Sequence, residues 1–229
     1  MGEMVTYHGA GNAGEGYLAR PAPGESRPAV VVVQEWWGLV PHITSVADRF
    51  AEAGFAALAV DLDRGASAGL DRSGQETRPV DAPELDRASV EIAGAAEYLA
   101  GRSGVAGKVG VVGFGAGGSL ALWSATRSDR IVGAVGFYPV LPWDGMPTDW
   151  AGYAGKSALI HCCAEEPSSG DGALATRRAI ETAGGECQVC DYPGTVRAFF
   201  DDDRPEAYHQ PAAASAWART LEFFRAKLG

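Results

Sequence analysis

Residues 108–126, KVGVVGFGAGGSLALWSAT, carry a strand, a sharp turn and a helix in one line. Val109, Val111 and Val112 form a β-branched run of the kind that sits in a sheet. Leu120 to Ala125 is a breaker-free stretch of good helix formers. Between them lies Gly113-Phe114-Gly115-Ala116-Gly117-Gly118. Its glycine spacing is that of a G-x-Nu-x-G elbow, in which the central residue stands on a strained turn above the sheet. Small residues at Gly113 and Gly117 let strand and helix approach closely enough to make that turn. The central residue of such an elbow is ordinarily Ser or Cys. Here it is Gly115, which has no side chain and cannot attack a carbonyl. A Gly-rich strand–helix turn can also cradle a phosphate. Against that, the run lacks the Lys-Ser/Thr ending of a P-loop, and it follows about a hundred residues of alternating structure, whereas a dinucleotide fingerprint accompanies the first strand of its unit.

Working outward, short apolar runs alternate with amphipathic stretches. PAVVVVQEWWG (28–38) begins as a strand buried on both faces. HITSVADRFAEAGF (42–55) has helical spacing, with Gly54 placed to stop the helix. AALAVDL (56–62) is a second buried strand, and 64–80 is a polar, Gly-rich surface excursion. A helix is expected over Ala82–Leu99, and strands at IVGAVGFYP (131–139), SALIHCCAEE (157–166) and CQVCDYP (187–193). Helices are expected at ATRRAIETAGG (175–185) and AAASAWARTLEFFRAKL (212–228). No repeat and no linker interrupts the pattern, so residues 1–229 read as a single domain of the α/β class. Its sheet should be doubly wound and mostly parallel, with helices on both faces. Ligands of such sheets sit beyond the C-terminal ends of the strands.

The 229 residues are 46% hydrophobic, ample for one core, and carry a net charge of −10. That charge argues against nucleic acid and anionic membrane surfaces as partners. No run of 18 apolar residues exists, and the N-terminal stretch has neither a basic nor a continuous apolar region, so a cytoplasmic protein is expected. Gly2 and Thr6 match a myristoylation pattern short enough to recur by chance. The four cysteines are Cys162, Cys163, Cys187 and Cys190. On a strand, Cys187 and Cys190 point to opposite faces, which suits neither a shared metal nor a disulfide. All four read as buried thiols of a reducing compartment.

The segments VVVQEWWGLVPHITSVADRFAEAGF, DLDRG, KVGVVGFGAGGSLALW, ALIHCCAEE, DYPGTVRAFFDDDRPEAYH and AASAWARTLEFF, in that order, resemble the dienelactone hydrolase (carboxymethylenebutenolidase) family. The resemblance implies an α/β-hydrolase fold and, in ordinary members, a Cys-His-Asp triad that opens lactones. It also implies a glutamate that holds the cysteine in check. Carried over residue by residue, it places Gly115 at the cysteine. The acid falls on Glu166, or on Pro167 if the doubled cysteine is an insertion. Arg197 stands at the histidine, and a guanidinium stays protonated and cannot serve as a base. The triad is degenerate at both essential positions. Glu35 stands at the regulatory glutamate. The oxyanion donors, the backbone N–H groups of Trp36 and Ala116, need no side chain.

Glu35, ending a buried strand, is the candidate catalytic acid/base, or else an ion-pair partner of Arg197. Arg197 itself either clamps a substrate carboxylate or neutralises Glu35 or Glu166. Trp36 and Tyr138 are candidate substrate-binding aromatics, and Trp37 a weaker one. His42 and His161 read as structural, His209 as exposed in a polar loop, and Ser119 as a poor substitute nucleophile one turn into its helix. Asp201 to Asp203 reads as a solvated acidic turn without the rest of a Ca²⁺ loop. No metal and no cofactor are expected, and the partner is a small molecule bound by a monomer or homodimer. Three functions fit. One is a non-covalent enzyme (cyclase, isomerase, dehydratase or water-mediated lactone hydrolase) acting on a small aromatic or polyketide-like carbonyl compound. The others are an inactive ligand-binding pseudoenzyme and a hydrolase with its nucleophile relocated to Cys162 or Cys163.

Overall fold

The computed structural model describes residues 2–9, 12–22, 27–35, 38–62, 82–102, 104–141, 146, 149–164 and 167–229. Trp36, Trp37, Glu166 and the expected excursion at 64–80 lie outside them. Among the described residues eight strands form one sheet: β1 (Glu3–Gly9), β2 (Asn12–Ala19), β3 (Arg27–Val33), β4 (Ala56–Val60), β5 (Val105–Phe114), β6 (Ile131–Phe137), β7 (Ser157–Cys163) and β8 (Glu186–Tyr192). Their spatial order is β1-β2-β4-β3-β5-β6-β7-β8. From β4 onward every neighbouring pair is parallel.

Among the described residues, five α-helices cover the two faces: α1 (Pro41–Glu52), α2 (Ala82–Ala100), α3 (Ala116–Ser124), α4 (Pro167–Thr182) and α5 (Gln210–Leu228). The alternation along β3 shows how the strand is buried twice. Val31 and Val33 pack with residues of α2 and α3, while Val30 and Val32 pack with residues of α1 and α5. Each β-branched side chain therefore meets a helix, and the run can be continuously apolar. Helix α1 starts with Pro41 in its first turn, where the missing N–H costs nothing. It ends before Gly54, whose φ of +97° lets the chain turn back into β4.

Three expectations are corrected. The chain does not begin with the alternation: β1 and β2 are an antiparallel hairpin, and β2 also pairs antiparallel with β4. Glycines conceal this strand, because Gly14 and Gly16 stand on its buried face, where a Cβ would run into the Tyr7 ring and the Ala59 carbonyl. The helix expected from Ala175 begins eight residues earlier, at Pro167. Finally, the acidic turn is not wholly solvated, since Asp201 is buried while Asp202 and Asp203 are exposed.

The thiols follow the expected faces. Cys187 joins the core layer under α4, and Cys190 packs half-buried against the opposite layer. Cys162 and Cys163 are buried, and none of the four is in a disulfide. Among the described residues no helix is long and apolar enough to cross a membrane.

Candidate active site

The elbow forms where the glycine spacing puts it, at the C-terminal end of β5. Gly115 is the N-cap of α3 with φ 54° and ψ −123°, a conformation that L side chains rarely adopt. A Cβ on Gly113 would overlap the Gly117 carbonyl, and one on Gly117 would overlap the Gln34 carbonyl. Only glycine fits those two positions. The turn is pinned by the Gly115 amide donating to the Phe137 carbonyl at 3.0 Å. The Ala116 amide lies in the first turn of α3, where no preceding helical carbonyl exists to accept from it. The positive end of the helix dipole points the same way.

Gly115 itself is different from its neighbours. A Cβ there would meet Glu35 Cδ and Oε2 at 3.6 Å and Cγ at 3.8 Å, all ordinary van der Waals contacts. The carboxyl of Glu35 thus faces the very space that an elbow nucleophile would fill. Glu35 is only 9% exposed, two residues beyond the end of β3. Its other oxygen, Oε1, accepts a hydrogen bond from the Tyr138 hydroxyl at 3.4 Å.

Tyr138 follows β6 with φ 38°, unusual for a residue with a side chain, and is 1% exposed. Its amide donates to the His161 carbonyl at 2.6 Å, which holds the backbone in that conformation. Burial, then the nearby Glu35 and Asp201 carboxylates, push its phenol well above the usual range. It therefore remains a neutral donor at any working pH. The sequence suggests a pocket aromatic at Tyr138. In the structure its hydroxyl donates to Glu35 and its ring packs edge-on against Phe199 at 5.5 Å.

The turn after β8 carries Arg197, which is half-buried. Two features shape that turn. The Ala164 amide donates to the Thr195 carbonyl at 3.1 Å, joining the exits of β7 and β8, and Ala198 takes φ 65°. The loop beyond is latched to α1 by His42. Its Nδ1 lies 3.2 Å from Asp201 Oδ1 and 3.1 Å from Asp202 Oδ1, and Asp201 Oδ1 also accepts from the Asp203 amide at 3.0 Å. Arg49 of α1 stacks on Phe200 and Trp217, 4.8 and 4.6 Å from their ring centroids. His42, Asp201 and Asp202 are the one group of metal-type ligand atoms among the described residues. Their distances are those of hydrogen bonds, so the group reads as a latch. The sequence marks His42 as structural but not its partner, because the contact spans 160 residues.

His161 is also structural. Its Nδ1 faces the Tyr192 hydroxyl at 2.9 Å and its Nε2 faces Thr220 Oγ1 at 3.0 Å. Thr220 gives its own proton to the Ala216 carbonyl, so His161 donates from Nε2 and accepts at Nδ1. Burial lowers its pKa to about 3, keeping the ring neutral. His209 is exposed and caps α5, accepting from the Ala212 amide at 3.3 Å. Ser119 is fully buried and donates to the Val140 carbonyl at 2.7 Å. Burial pushes the Cys162 thiol up to about 12, which leaves almost no thiolate to act as a relocated nucleophile.

Comparison with known proteins agrees with this architecture. Residues 15–228 match the description "Dienelactone hydrolase family". The chain is 31% identical over 239 residues to "Protein usf" of Aquifex pyrophilus, covering 98% of each chain. It is 32% identical over 221 residues to a Bradyrhizobium protein named "Probable 2-oxo-3-(5-oxofuran-2-ylidene)propanoate lactonase", covering 91% of this chain and 88% of that one. The crystal structure of a dienelactone hydrolase-like promiscuous phosphotriesterase from metagenomic libraries shares the fold, with a TM-score of 0.81 and 24% identity over 100% of this chain and 99% of that one. A sheet of this order, an intact elbow and a match over nearly the whole length have one conclusion: the chain belongs to the dienelactone hydrolase family.

Proposed function

We propose that the protein is a non-covalent acid/base enzyme on a dienelactone hydrolase scaffold, acting on a small aromatic or polyketide-like carbonyl compound. One observation carries the reading. The buried Glu35 carboxyl lies 3.6 Å from the Gly115 Cβ position, and a neutral phenol holds its other oxygen. An elbow without a nucleophile cannot form an acyl intermediate. A carboxylate placed there can still take a proton from a reacting group and return it. The Ala116 amide, with that of Trp36 implied by the family resemblance, would bind the oxyanion or enolate that develops. Arg197 would hold a substrate carboxylate, since it cannot replace a histidine base.

The test is turnover of dihydrocoumarin, a small aromatic lactone, by wild type and Glu35→Gln. Loss of proton transfer should lower kcat by about 100-fold or more. Full turnover by Glu35→Gln sinks the reading. A second reading, a ligand-binding protein without chemistry, is favoured by the paired change of Cys to Gly115 and His to Arg197. It predicts saturable lactone binding with no product formed over hours.

A further inference from the structure

Resting on that reading, we infer that the substrate brings its own nucleophile into the space over Gly115, so that the reaction closes a ring instead of hydrolysing one. The substrate class is an acyl ester or thioester bearing a phenol, enol or alcohol that can reach its own carbonyl.

Three features of the elbow lead there. First, the strained turn is kept although its side chain is absent: Gly115 holds φ 54° and ψ −123°, pinned by its bond to Phe137. The conformation keeps the Ala116 amide at the start of α3, so a carbonyl oxygen bound there sits next to the space over Gly115. Second, among the described residues, and leaving aside the chain neighbours of Gly115, the nearest atoms to its Cβ position are Cδ, Oε2 and Cγ of Glu35. In an elbow with a nucleophile, a base activates the side chain. Here the carboxyl faces whatever atom of the substrate takes the side chain's place. Third, the surroundings are closed and aromatic. Tyr138 is 1% exposed, Phe114, Phe137 and Phe199 pack around it, and Phe200 packs on Phe137. A nucleophile tethered to its own carbonyl has a high effective concentration in such a site, because its translational freedom is already lost.

The step balances without a co-reactant. Glu35 Oε2 takes the proton of the substrate O–H. That oxygen's electron pair forms a C–O bond to the acyl carbon, and the carbonyl π pair moves to oxygen beside the Ala116 amide. Collapse of the tetrahedral species restores the carbonyl and breaks the bond to the alkoxide or thiolate. The leaving group takes the proton back from Glu35. The products are a lactone and an alcohol or thiol. Tyr138 keeps its own proton and holds Oε1, so that Oε2 is the oxygen that faces the reaction.

The experiment compares two thioesters of N-acetylcysteamine, one of 3-(2-hydroxyphenyl)propanoate and one of 3-phenylpropanoate. Thiol release and the acyl product are followed for each, relative to its uncatalysed rate. The inference expects acceleration of about 100-fold or more for the hydroxylated thioester, with dihydrocoumarin as product, and none for the other. Gly115→Ala, checked for folding by circular dichroism, should abolish that acceleration by filling the space with a methyl group. Equal acceleration of both thioesters, or release of the free acid from the hydroxylated one without dihydrocoumarin formed before it, makes water the nucleophile and overturns the inference. Glu35-dependent opening of dihydrocoumarin alongside absent cyclisation overturns the inference alone. Activity on lactone and thioester alike that is indifferent to Glu35→Gln overturns the proposed function as well.

Discussion

Putting a side chain back on Gly115 tests the geometry of the elbow directly. A methyl group there would rest 3.6–3.8 Å from Glu35, in ordinary contact, so packing adds no penalty. The backbone does: φ 54° with ψ −123° costs an L-residue about 1–3 kcal/mol. For a chain of this size each kcal/mol lowers Tm by about 2–4 °C, so a cost near 2 kcal/mol lowers it by about 4–8 °C. Gly113→Ala and Gly117→Ala face a different obstacle, because their Cβ atoms would overlap backbone carbonyls that cannot yield. Those two should fail to give folded protein, or lose more than about 4 kcal/mol. Thermal melts of the three alanine variants by far-UV circular dichroism decide the matter. A Gly115→Ala Tm loss above about 15 °C, or Gly113→Ala as stable as Gly115→Ala, would refute the reading that a side chain at Gly115 meets only ordinary contacts while one at Gly113 overlaps the backbone. With the fold intact, Gly115→Cys combined with Arg197→His should acquire an acyl-enzyme intermediate with a lactone substrate, detectable as a mass increase on the peptide that carries the introduced thiol.

Other expectations follow from neighbouring groups. Tyr138→Phe removes the donor to Glu35 Oε1; the buried carboxylate becomes harder to ionise, so the acidic limb of any pH–rate profile moves to higher pH. An unmoved limb would deny the hydrogen bond a role. His161 has its folded pKa lowered to about 3 from 6.5, so between those values the unfolded chain binds a proton that the folded one refuses. Its contribution is complete above pH 6.5 and declines as pH falls, by about 1.4 kcal/mol per pH unit, or about 2 kcal/mol from neutrality to about pH 5. Urea titrations of His161→Gln should lack that slope. Cys162 and Cys187, both raised to about 12 by burial, should resist iodoacetamide in the native protein, while half-buried Cys190 reacts first. Peptide mapping that finds Cys162 labelled early would reopen the idea of a relocated nucleophile.

The central parallel strands were legible because they are buried on both faces and so written in largely apolar residues, as in Val30 to Val33. The elbow was legible because only glycine fits at Gly113 and Gly117, so the steric demand is written as residue identity. The hairpin of β1 and β2 was hidden for the same kind of reason in reverse. Its inward positions include Gly14 and Gly16, made small by the Tyr7 ring and the backbone of β4, so the apolar alternation of a strand is missing. Burial of Asp201 could not be seen either, since its partner His42 comes from the other end of the chain.

Taken alone, the sequence determined the class of sheet and the site of the turn, and the family resemblance set Gly115 and Arg197 where the covalent-catalysis groups are expected. Those depend on local pattern and on side-chain chemistry, and Gly115 and Arg197 lack the chemistry wherever they are placed. Only the tertiary structure decided where Glu35 is aimed, that Tyr138 holds its far oxygen, and that His42 ties down the loop beyond Arg197. Each of those is a distance between residues far apart in the chain. Such distances follow from how β3, β5, β6 and the β8 exit are packed side by side, and no local spacing encodes them.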